Sequence, residues 1–256
     1  MSDLEQIGID AVDRFLTTWN SRDKDLWASS LNYPHVRPGP LGKIAVAETA
    51  EIYASRFDYQ QVIDTGWDHS EWDYRQVLHT SAEKVHVAGQ WSRYSAAGEK
   101  IHTNPIIYVV TRVAGQWGIQ ARFAADYAGD EADTSGMESR GFKLVEDFVL
   151  NFNNNNQLAC SELMNYPHFG IGIGQLRHHA TPDDYGVSES RLKIESLQSV
   201  QTGNLSMNIA MDVTVENASG SEPYQAVLNI TLRDGHLGIQ AWSLLDPHAH
   251  DPEDEK

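Results

Sequence analysis

Apolar residues recur at two periods along this chain, and the switch between them separates its parts. Leu4, Ile7, Ala11, Val12, Phe15, Leu16 and Trp19 fall at helical spacing and form one stripe. That stripe predicts an amphipathic helix capped by Ser2 or Asp3 and ending at Asn20-Ser21. Asp23 opens a shorter helix carrying Leu26, Trp27 and Leu31, after which Pro34 forces Tyr33 into extended geometry. Arg37-Pro38-Gly39-Pro40 reads as a turn, and a third helix is expected from about Val46 to Phe57. Beyond Gly66 the period becomes two. Val85, Val87, Gly89, Trp91 and Arg93 alternate with His86, Ala88, Gln90, Ser92 and Tyr94. Ala97-Gly98-Glu99 is a hairpin turn, Ile101 to Val113 a strand broken early by Pro105, and Trp117 to Phe123 a final strand. The predicted unit is three helices followed by an antiparallel meander.

That unit occurs twice. Asn32-Tyr33-Pro34-His35 returns as Asn165-Tyr166-Pro167-His168, and Gly118-Ile119-Gln120-Ala121 returns as Gly238-Ile239-Gln240-Ala241. Two anchors repeated in the same order mark a tandem duplication. The helical parts align with an offset of 168 − 35 = 133 and the last strands with 238 − 118 = 120, so the second copy lacks 13 residues. The gap falls between His168 and the strand near Leu205, which predicts a shortened third-helix region. The expected domains are residues 1–127, an acidic linker at 128–138, a second domain at 139–247 and an acidic tail at 248–256.

Charge narrows the partners. Lysine and arginine number 19 against 36 acidic residues, a net charge of −17. This disfavours nucleic acid and anionic membrane surfaces, both of which select cationic faces. The N-terminus has no basic segment followed by an apolar run, and no apolar stretch is long enough for a bilayer, so the cytoplasm is the expected compartment. The single cysteine, Cys160, sits beside Leu158 and Leu163 on a predicted helix and reads as a core residue. No cofactor or metal motif is found. His248 and His250 lack a third ligand on a rigid element, and Gly170-Ile171-Gly172-Ile173-Gly174 follows a helix instead of joining a strand to a helix. It reads as a flexible loop replacing the deleted helix.

Tyr33-Pro34-His35-Val36-Arg37 with Gln116-Trp117-Gly118-Ile119-Gln120-Ala121-Arg122, in this order of elements, resembles the nuclear transport factor 2-like superfamily, which includes SnoaL-like cyclases and ketosteroid isomerases. The resemblance covers nearly the whole chain as two copies and is nearest to a bacterial subgroup without assigned function. It implies an α+β fold: two cones, each of three helices and a curved antiparallel sheet, packed as an intramolecular pseudo-dimer, with the oligomeric state open between a monomer and a further dimer. It also implies an apolar pocket in the mouth of the cone and a general base just after the second helix, near His35.

The expected catalytic set is therefore His35 as base, with Arg93 and Tyr108 stabilising an oxyanion. Tyr33, Arg37 and Trp91 are the expected ligand-binding residues. At the offsets above, Arg93, Arg122, Tyr108 and Arg37 become Val213, Trp242, Leu228 and Gly170, so the second copy loses polar groups. His35 persists as His168, which favours a structural role. Strict alternation puts Gln120 and Arg122 on the face away from Ile119, Ala121 and Phe123. The resemblance implies that this outer face is where the copies meet, and Gln120 matching Gln240 suits a pseudo-twofold contact there. Asp68 and His69 are adjacent on a strand and are expected to face apart, while His178-His179 reads as surface. Two functions stay open: a cofactor-independent isomerase, cyclase or dehydratase acting on a small apolar carbonyl compound, or a non-catalytic ligand-binding or protein-interaction module.

Overall fold

In a computed structural model, residues 2–39, 44–186, 189–246 and 248–249 are described. The first half runs α1 (Asp3–Asn20), α2 (Lys24–Ala28), β1 (Leu31–Pro38), β2 (Ile44–Ala47), α3 (Ala50–Ser55), α4 (Tyr59–Ile63), β3 (His69–Thr80), β4 (Lys84–Tyr94), β5 (Lys100–Val113) and β6 (Gln116–Ala124). The second runs α5 (Ser135–Asn153), α6 (Gln157–Glu162), β7 (Met164–Ile171), β8 (Leu176–His179), β9 (Arg191–Thr202), β10 (Ser206–Asn217), β11 (Gly220–Arg233) and β12 (His236–Leu245). A single 3-10 turn, Pro182–Asp184, stands where the first half has α3 and α4, which accounts for the missing residues.

The two sheets have the same strand order, β2-β1-β6-β5-β4-β3 and β8-β7-β12-β11-β10-β9. Each is mixed, because β1 runs parallel to β6 and β7 to β12. A long crossover is what parallel pairing requires, and the segment from β1 to β6 supplies it. α1 starts in a capping box, Ser2 Oγ accepting from the Glu5 N–H and the Glu5 carboxylate from the Ser2 N–H. It buries Ala11, Val12, Phe15, Leu16 and Trp19 on its own sheet.

Several expectations change. Val46 and Ala47 belong to β2, so the third helix is shorter and a fourth, α4, follows it. β5 runs through Pro105 unbroken; Pro105 pairs with Gln90 of β4, and β6 begins pairing only at Ile106. The proline's missing N–H therefore costs the β5–β6 ladder nothing. Gly170 and Ile171 end β7, which turns back at once into β8, so this segment is a hairpin and not a flexible loop. α5 begins at Ser135, inside the stretch read as linker. Asp68 and His69 do touch, at 3.0 Å, Asp68 lying just before the start of β3 at His69. The tail and His250 lie outside the described residues except for 248–249, and His248 bonds Glu222 at 2.9 Å. No helix among the described residues is long and apolar enough to cross a membrane.

The sheets pack back to back. Val36, Ile107, Val109, Ala121 and Phe123 from the first meet Phe169, Ile171, Val227 and Ala241 from the second. Polar contacts follow an approximate twofold. His86 Nε2 lies 2.9 Å from Ser243 Oγ, and Asn208, which the strand register puts in the equivalent place, donates to the Phe123 carbonyl at 2.7 Å. Gln120 bridges the halves, donating to the Gln175 carbonyl and accepting from the Gly174 N–H. Among the described residues its match Gln240 does not, donating to the Asn165 carbonyl and accepting from Arg233 within its own half. The positions symmetric to Gly174 and Gln175, 41–42, lie outside the described residues.

Candidate functional site

The duplicated strings turn out to be partners. Asn32 donates to the Thr111 carbonyl, and Asn165 to that of Thr231. The Tyr33 hydroxyl donates to the Ala28 carbonyl and that of Tyr166 to Ser161. Both Tyr–Pro bonds are cis. His35 Nδ1 meets the Ile119 carbonyl at 3.1 Å, and His168 Nδ1 the Ile239 carbonyl at 3.0 Å. Each motif thus fastens the first strand of its sheet alongside the last, in both copies alike.

This geometry removes His35 from the role of base. Its ring is fully buried, and Arg122 Nε–H donates to its Nε2 at 3.3 Å. Nε2 is thereby the acceptor and Nδ1 the proton carrier. Burial, reinforced by the Arg122 charge, holds its pKa well below the usual range, so the ring is neutral. Tyr108 and Trp91 are equally enclosed. The Trp91 indole N–H donates to the Tyr108 hydroxyl at 2.8 Å, and burial raises the phenol's pKa. Tyr33 is committed to Ala28, and burial raises its pKa too. The centre of the cone is filled by aromatic rings: Trp19 and Trp27 are 4.9 Å apart between centroids, and Trp27 and Phe57 4.7 Å. The enclosed apolar pocket implied by the resemblance is replaced by this packing.

Arg122 is on the helix side of the sheet, not at the contact between copies. Val109 pairs with Ala121 but Val110 with Ile119, so Gln120 is the extra residue of a β-bulge. The bulge reverses the alternation: Ile119 joins the helix-side core, Ala121 and Phe123 the intersheet core, and Arg122 falls beside its cross-strand partner Tyr108. The guanidinium lies over Phe15 and Trp27 and donates to the Tyr53 hydroxyl at 2.6 Å.

Arg93 lies on the same face, over Trp19 and Trp91, with its Nε buried and unpartnered. Its cross-strand partner is His102, and the register makes Val215, not Val213, its counterpart in the second copy. The two-residue discrepancy comes from a shorter β10–β11 turn. Arg37 is half-buried at the end of β1; burial first, then Arg122 and Arg93, lower its pKa to about 10. None of these three guanidinium groups meets a carboxylate among the described residues. Of the three only Arg37 lines a cleft of about 600 Å³ at the open end of the sheet, whose walls also include His102, Asn104, Ile101, Asp126, Tyr127 and Leu205. Asn104 Nδ2 is also buried without a partner.

Among the described residues, the second cone has no equivalent of these three arginines. Trp242 occupies the place of Arg122, packing on His168 at 4.7 Å between centroids. His168 is neutral, its pKa lowered to about 4 by burial. Cys160 is a buried core thiol whose pKa burial raises to about 11. No group of three metal-ligating side chains occurs among the described residues.

Residues 9–126 match the family described as NTF2-like protein (DUF6841). No curated protein matches the chain. Among solved structures, it is similar to a ketosteroid isomerase-like protein from Erwinia carotovora atroseptica SCRI1043, at 20% identity over 48% of this chain and 95% of that one, TM-score 0.38. It is also similar to an NTF2-like protein of unknown function from Pseudomonas putida KT2440, at 10% identity over 48% and 93%, TM-score 0.39. A domain of unknown function with a cystatin-like fold from Nostoc punctiforme matches at 16% identity over 60% and 99%, TM-score 0.41. The chain therefore carries, over residues 9–126, a nuclear transport factor 2-like domain of the DUF6841 family.

Proposed function

We propose that the first cone is a non-catalytic receptor for a small organic anion and that the second cone supports it. One observation carries this reading. Arg37, Arg93 and Arg122 share the inner face and mouth of one cone with no carboxylate among their described partners, in a chain of net charge −17. Desolvating a guanidinium without a counter-charge is costly, and a bound anion supplies the missing partner. The absence of a free base at His35 favours binding over proton transfer, since its two ring nitrogens already have partners. The SnoaL-like reading, acid/base turnover of an apolar carbonyl compound, loses the base that the resemblance assigned to it, His35.

A thermal-shift screen of organic and inorganic anions tests the proposal, because a ligand bound by the native state raises the melting temperature by mass action. At least one anion is expected to stabilise the full chain but not the Arg37→Met variant. No stabilisation by any anion, or equal stabilisation of the variant, would remove the proposal.

A further inference from the structure

The cleft is built from two kinds of surface that come from different parts of the molecule. Its polar wall is the inner face of the first cone: Arg37, then His102 and Asn104 on β5; Arg93, not itself a lining residue, is the cross-strand neighbour of His102. Its other wall is apolar. Ile101 is skipped in the β4–β5 pairing and stands 41% exposed, and Tyr127 is 40% exposed just beyond β6. The third member, Leu205, belongs to the second cone, at the turn between β9 and β10.

That turn is held against the cleft by Asp126. Its carboxylate accepts from the Asn204 and Leu205 N–H groups at 2.8 and 3.0 Å and from Ser206 Oγ at 2.7 Å. The nearby cation Lys100 is already matched by Asp73 at 3.0 Å. Of the charged groups lining the cleft, Asp126 is thus taken up by the turn and Lys100 by Asp73, which leaves Arg37 without a described carboxylate partner beside the exposed apolar surface of Ile101 and Tyr127.

Resting on the anion-receptor reading above, we propose that the ligand is an amphiphilic carboxylic acid. Its head pairs with Arg37 and Arg93, and its apolar chain lies over Ile101, Tyr127 and Leu205. A guanidinium matches a carboxylate in a planar, two-bond geometry, and the apolar wall rewards each methylene that leaves water. Leu205 gives the second cone a part in the site despite its own lost lining: it completes the wall that selects the chain of the ligand.

Calorimetric titration of the full chain with acetate, butyrate, hexanoate and octanoate, and with inorganic phosphate and succinate, tests this. Affinity is expected to rise about two- to threefold per methylene, less than full burial would give because the cleft is open to solvent. Ile101→Ser, at an exposed position, is expected to flatten the series, with its melting temperature recorded as a check on folding. Leu205→Ser is expected to do the same, under the same check. Octanoate binding no tighter than acetate, or a slope unaltered in Ile101→Ser, would overturn the inference. Phosphate or succinate binding more tightly than octanoate would overturn it too, yet leave the anion receptor standing. If none of the six binds, both proposals fall.

Discussion

Arg93 is held between two tryptophans with a buried Nε that no protein atom satisfies. Methionine at this position would keep most of the packing and remove the desolvated charge. Arg93→Met is expected to hold or raise stability, by up to about 1 kcal/mol in urea titration, while abolishing binding of any stabilising anion. A fall of several kcal/mol would instead make Arg93 a structural residue. The buried histidines set the acid limit of the fold. His168 has a folded pKa of about 4 against an ordinary value of 6.5, so between these pH values the unfolded chain binds the extra proton. The contribution of His168 to stability is expected to be full above about pH 6.5 and to fall as pH drops towards 4. This one residue contributes on the order of 3 kcal/mol to the loss. His168→Gln is expected to flatten that slope when urea midpoints are followed across pH.

Most of the site's misreading came from one element, β6. Sequence alternation assumes an unbroken period of two, and the bulge at Gln120 breaks it without any residue that announces it. The fold itself was readable because the Asn-Tyr-Pro-His and Gly-Ile-Gln-Ala strings bond to each other in both copies, so one closure uses both strings together. That same bond is why His35 looked available on paper and is committed in space. The signal that could have found Arg122 was present: it becomes Trp242 in the second copy, as a residue retained for function in only one copy would. The Arg93 counterpart was displaced because hairpin lengths are not visible in a two-anchor alignment. Close packing at the start of β6 gives a test of the closure. A Cβ on Gly118 would stand 2.6 Å from Asn32 Oδ1 and 3.1 Å from its backbone nitrogen. Gly118→Ala is expected to cost about 1–3 kcal/mol, read as a lowered melting temperature. An unchanged value would show that β1 can yield there.

Across the whole molecule, the contact between the sheets is polar enough to respond to pH on the alkaline side as well. Lys84 is buried with its ammonium donating to the Ile171 and Leu244 carbonyls at 2.7 and 3.0 Å, and burial lowers its pKa to about 8. The unfolded chain keeps this proton up to the ordinary value of 10.5, so stability is expected to rise as pH increases from about 8 to 10.5. Lys84→Met is expected to lose that rise and to match or exceed the parent at pH 7, as measured by chemical denaturation. A parent curve that is flat over this range would mean the amine stays hydrated.

A homodimer built from this cone would by symmetry repeat every residue change twice, so a hollow could never be furnished on one side alone. Joining the copies in one polypeptide lifts that constraint. On the receptor reading proposed above, ligand stoichiometry is expected to be one per chain, and the second half remains attached however dilute the protein becomes.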